Sequence, residues 1–153
     1  MAVTYGLVTL AQSNRIMDRM LQKMKEVGYH RFDLGLPGNL IPIEREDYYP
    51  SPKKFAFQVY ENGGATACFV YYTIEALYDL GRIKEGDAML FPLLGAFENG
   101  GFQGRGPNGR TYDWKLWDGE PCGYEGMLVD NYLALLAGLT RADLESPGVH
   151  HWK

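Results

Sequence analysis

An all-α fold, made of antiparallel helical hairpins with long loops at one end, is predicted by three observations. Apolar residues recur at helical spacing in four separate stretches, glycines follow two of them as stops, and the connections alternate long, short, long. A length of 153 residues fits one domain, 1–153, with a frayed tail over about 146–153.

The first helix is expected to start at Ser13 as N-cap and to carry Ile16, Met17, Met20, Leu21, Met24 and Val27 on one side, with Gly28 as its stop. Residues 29–61 hold Pro37, Gly38, Pro42, Pro50 and Pro52 and show no helical period, so they form a long loop with room for short strands. A second helix over 65–80 presents Phe69, Val70, Ile74, Leu77 and Tyr78 and closes at Gly81. The third, over 84–97, presents Met89, Leu90, Leu93, Leu94 and Phe97, and Pro92 is expected to kink it or begin its stable part. After a glycine-rich loop over 98–123, a last helix at about 124–139 carries Leu128, Tyr132, Leu135, Leu136 and Leu139.

The tight turn between helices two and three makes them antiparallel neighbours. If the others alternate likewise, both long loops emerge at one end, and function belongs on that loop-rich rim.

Charged residues make up 22% and the net charge is -4, which suits a globular chain and disfavours a sequence-independent nucleic-acid binder. Aromatics reach 14%, offering flat apolar faces with polar edges to a sugar or to a wet interface. Cys68 and Cys122 show no metal-site spacing, so no cofactor or metal is expected and a reducing cytoplasm is the default setting. No apolar run approaches the ~18–20 residues of a membrane span, and residues 1–10 lack the features of a signal peptide. His30, His150 and His151 have no ligand partner at useful spacing.

Three stretches could carry chemistry. Tyr60, Glu61 and Asn62, followed by Gly63 and Gly64, precede the second helix, where exposed amides favour polar oxygens; alternatively Asn62 only caps that helix. The second long loop gathers Glu98, Gln103, Arg105, Asn108, Arg110, Asp113, Trp114, Trp117, Asp118, Tyr124 and Glu125. Acids beside tryptophans suit a pyranose, whose ring face stacks on an aromatic while carboxylates bind hydroxyls or move protons. A glycine-rich surface loop also collects such residues without catalysis. Asp33 and Asn39, on the other loop, could reach the same rim or merely form a turn.

Two runs carry a family likeness. Positions 60–67, Tyr-Glu-Asn-Gly-Gly-Ala-Thr-Ala, resemble the entry to an inner helix of the six-hairpin (α/α) toroid glycosidases. The later run through Trp117, Asp118 and Gly119, Tyr124, Glu125 and Gly126, then Val129 to Tyr132, is similar to their closing loop and last inner helix. The group includes glucoamylases, trehalases, mannosyl-oligosaccharide glucosidases and bacterial rhamnosidases, and the likeness covers roughly 13–140. It implies a carboxy-terminal part of a toroid, with Glu98 or Glu125 at the place of the general base. The general acid of those enzymes comes from an earlier hairpin, outside a chain with four helices.

The resulting expectation is a glycoside hydrolase-like protein that binds or cleaves a saccharide by carboxylate acid/base chemistry. Glu98, Glu125, Asp113 and Asp118 are the candidate acids, and Tyr60, Trp114, Trp117 and Tyr124 the stacking walls beside Glu61 and Asn62. The alternatives are a non-catalytic carbohydrate-binding or assembly module, or a truncated glycosidase fragment. Two hairpins leave apolar faces uncovered, so a homo-oligomer with aromatic and methionine side chains at its contact is expected.

Overall fold

In the computed structural model, residues 1–47, 55–100, 112–125 and 128–145 are described. They contain four helices, α1 (Leu10–Glu26), α2 (Val70–Asp79), α3 (Ile83–Glu98) and α4 (Leu128–Glu145), and a two-residue antiparallel pair, β1 (Leu36–Pro37) with β2 (Ala65–Thr66). No helix among them is long and apolar enough to cross a membrane.

α1 begins earlier than the apolar pattern suggests, because Thr9 and Gln12 form a reciprocal capping box that satisfies two orphan N–H groups. Ser13, expected as the cap, is buried one turn inside. The stop is as expected: Gly28 (φ 75°) lets Tyr29 N–H reach the Met24 carbonyl at 2.9 Å, closing the last turn. Gly81 (φ 71°) ends α2 in the same way, with Arg82 N–H donating to the Leu77 carbonyl at 2.8 Å. The Arg82 guanidinium then binds Glu85 in the first turn of α3 and Asp18 on α1.

α2 packs against α3 and α4, and α3 also packs against α4 and the short turn Phe32–Leu34. Ile74, Leu77, Leu90 and Leu93 are wholly buried between them, and α1 adds Met17 and Met24. Those methionines therefore belong to the core and not to an exposed contact. α3 runs through Pro92, which is exposed on its outer side, so the helix neither starts nor stops there.

Two helix starts differ from expectation. Residues 65–66 are extended and pair with 36–37, which delays α2 to Val70, and α4 starts at Leu128 because residues 124 and 125 belong to an extended segment. α4 also continues to Glu145, past the expected end near 139. Pro50, Pro52, Gln103, Arg105, Asn108, Arg110, His150, His151 and the tail over 146–153 lie outside the described residues.

Candidate functional site

The connection before α2 and the connection before α4 meet. Ala65 and Lys115 exchange both backbone hydrogen bonds, at 2.7 and 2.9 Å, and Arg31 donates to the Trp117 carbonyl at 3.1 Å. On the other side of this segment, Asp113 N–H donates to the Tyr124 carbonyl and Cys122 N–H to that of Trp114. Residues 112–117 are thus an extended segment clamped on both edges, and side chains along it alternate between faces.

That alternation sorts the chemistry. Asp113 and Lys115, two apart, point inward and are 4% and 1% exposed, while Trp114 between them is half-buried on the opposite face, beside Tyr60. Asp113 Oδ1 accepts the Tyr124 N–H. Burial pushes the Asp113 carboxyl above its usual range, against the backbone N–H groups of Tyr124 and Trp114, which favour the anion. Lys115 Nζ donates to the Tyr112 carbonyl at 3.0 Å, and burial lowers its pKa against the pull of Asp130, Asp113 and Cys122.

Beneath them lies Asp130, fully buried in the first turn of α4. It accepts from Thr66 Oγ1 at 3.1 Å, from Ala67 N–H at 3.3 Å and from Cys68 Sγ at 2.7 Å. Desolvation and the neighbouring Asp130 raise the Cys68 thiol to about 11, so it stays protonated and donates. One carboxylate thereby joins α4 to the chain just before α2. Asp130, Lys115 and Thr66 have no role that the sequence alone makes legible. A lone acid inside the apolar run 128–139, and a lysine two residues from an acid in a stretch rich in turn signals, are the traces they leave.

Above the clamp is an aromatic group. Tyr60 stands at φ 49°, a left-handed backbone uncommon for an aromatic residue, inside a turn closed by Gln58 N–H to the Asn62 carbonyl and Gly64 N–H to the Tyr60 carbonyl. Its ring lies 5.0 Å from Phe55, 5.6 Å from Trp114 and 6.2 Å from Tyr124, centroid to centroid. Tyr124 is 66% exposed. Trp114 rests on Gly38, where a Cβ would come within 2.8 Å of the indole, so only glycine admits the ring.

The candidates separate accordingly. Tyr60, Trp114 and Tyr124 come together, Asp113 is tied to them through the Tyr124 backbone, and Glu61 is exposed beside Tyr60. Glu125 is half-buried, its backbone bridged to Tyr112. Glu98 is exposed at the end of α3, and Asp118 is exposed in a turn where it accepts Glu120 N–H at 3.0 Å. Neither joins the aromatic group.

Asn62 does not cap α2. It is 1% exposed, and its amide binds Ile43 N–H and carbonyl, the Phe55 carbonyl and Asn39, fastening the first connection from within. Trp117 likewise turns inward, donating to the Gly63 carbonyl at 2.6 Å between the rings of Tyr29 and Phe57. Asp33 is held by Arg31 at 2.8 Å. Among the described residues no three His, Cys, Asp or Glu side chains are placed to hold a metal ion.

Compared with known proteins, the chain matches no family model, no curated protein and no solved structure.

Proposed function

We propose that the chain binds a saccharide on the face formed by Tyr60, Trp114 and Tyr124, with Glu61 at its edge and Asp113 behind it. The observation that carries this reading is the left-handed Tyr60. Such a backbone costs of order 1–3 kcal/mol and persists where the surrounding structure holds it, commonly at binding sites. Here it sets a ring against Trp114 and beside the exposed Tyr124. Pyranose C–H groups stack on such rings while neighbouring carboxyls take the hydroxyls.

Glycosidic hydrolysis is the second reading; Glu61, exposed beside Tyr60, and the half-buried Glu125 are the acids to test for it, because Asp113 is buried on the inner face away from a sugar stacked on Trp114. On this proposal the helices stand for two hairpins of a toroid-like arrangement, working in a reducing cytoplasm.

Tryptophan fluorescence titrations with maltoheptaose, trehalose, cellopentaose and a mannan oligosaccharide test the binding. A saturable change with one of them, lost in Trp114→Ala and weakened in Tyr124→Ala, is expected. No response to any of the four, or a response that survives Trp114→Ala, overturns the proposal. Nitrophenyl glycoside turnover abolished by Glu61→Gln or Glu125→Gln would separate hydrolysis from binding alone.

A further inference from the structure

A cavity of about 590 Å³ lies between α1 and residues 36–41 of the first connection, with Phe69 and Thr73 at the α2 entry also on its wall. That volume falls inside the range of roughly 300–1,000 Å³ common to small-molecule sites. None of Tyr60, Trp114 and Tyr124 lines it, so it is separate from the aromatic face. Met20, Met24, Leu36 and Leu40 give it an apolar floor continuous with the core, and methionine bends to fit irregular apolar shapes. Ile41 and Phe69 line the same cavity yet remain 68% and 40% exposed. Two large apolar side chains thus stand in water at a recess that leads into the core.

One edge of the recess is charged. Arg19, Lys23 and Glu26 follow on α1 at intervals of four and three, and all three line the cavity. Lys23 is bound by Glu26 at 3.2 Å, which makes that pair neutral. Among the described residues Arg19 has no carboxylate at ion-pair distance. The edge therefore presents a single uncompensated positive charge beside an apolar floor.

We infer that this cavity binds a small carboxylate with an unbranched aliphatic body. The chain lies on the methionine floor against Ile41 and Phe69, and the carboxylate meets the Arg19 guanidinium, whose planar fork matches two carboxylate oxygens. The single charge decides the ligand's polarity. A neutral hydrocarbon leaves the guanidinium unused, and a multiply charged phosphate leaves the floor wet while meeting Glu26 on the same edge. One negative group on an apolar tail satisfies both parts of the wall. The inference does not depend on the saccharide reading.

Calorimetric titration of the full chain with hexanoate, octanoate and decanoate near neutral pH tests it. One molecule should bind per chain, and affinity should rise about fifteenfold for each pair of methylenes moved from water onto the floor. Decanol, equal in length and uncharged, should bind roughly tenfold more weakly than decanoate, whereas a purely apolar site ranks the two the other way. Arg19 is exposed, so Arg19→Gln should fold normally, weaken decanoate roughly tenfold and leave decanol unchanged. Arg15→Gln, an exposed change on α1 outside the cavity wall, should alter neither. No saturable binding of decanoate, decanol binding at least as tightly, or a decanoate affinity that Arg19→Gln leaves unaltered overturns the inference.

Discussion

The α2–α3 hairpin and the junction of the two long connections are held together by different means. In the hairpin, neighbours in sequence are neighbours in space, and the wholly buried side chains Ile74, Leu77, Leu90 and Leu93 are all apolar. At the junction the buried groups are Thr66, Asp113, Lys115 and Asp130, brought from separate segments and joined by directed hydrogen bonds. Apolar packing tolerates small shifts, whereas a buried polar group deprived of its partner loses solvation and gains nothing in return. The hairpin therefore supplies stability, and the junction fixes where Tyr60, Trp114 and Tyr124 stand.

Substitutions on either side should expose this division. Leu90→Ala removes a wholly buried side chain from the hairpin and is expected to cost about 2–5 kcal/mol in urea denaturation. The surviving folded molecules should keep the saccharide affinity of the parent chain. Asp130→Ala deprives Thr66 Oγ1, Ala67 N–H and Cys68 Sγ of their acceptor, for a loss of about 1–3 kcal/mol. This smaller loss should come with weakened saccharide binding and a changed tryptophan emission spectrum. Equal effects of the two variants on binding would erase the distinction.

The smallest effect concerns Asp113 and has an unusual sign. Its folded pKa lies above the ordinary 3.8, so its favourable contribution is complete below that pH and is lost as pH rises through the folded value. Asp113→Asn resembles the protonated acid, keeps an oxygen for Tyr124 N–H, and should be slightly more stable than the parent at pH 7. The two melting temperatures should converge toward pH 4. A less stable variant at pH 7 would mean that the carboxylate is kept for structure and not in readiness for a ligand.

The same division decides what could be read from the sequence. Helical periodicity located the four helices of the described residues and the two glycine stops, because apolar burial on one side of a helix leaves a regular trace. Starts were less legible. Thr9 and Gln12 cap α1 outside its apolar run, and residues 65–66 and 124–125 are claimed by backbone pairing with distant segments, which no local pattern records. Tyr60, Trp114 and Tyr124 were legible as aromatics in turn-rich stretches, but Asn62 and Trp117 carry the same signature and turn inward. Asp130 was the least legible, since its partners lie more than 60 residues away.

Calorimetric titration of the wild-type chain beside Tyr60→Gly tests most directly the proposal that the two connections meet to form a saccharide-binding aromatic face. Glycine adopts the φ of 49° without strain, so this variant should fold at least as well in that turn while lacking the ring that organises Trp114 and Tyr124. The account predicts heat of binding with one of the four oligosaccharides for the wild-type chain and at least a tenfold weaker affinity, about 1.4 kcal/mol, for Tyr60→Gly. Undiminished affinity in a folded Tyr60→Gly chain would contradict it.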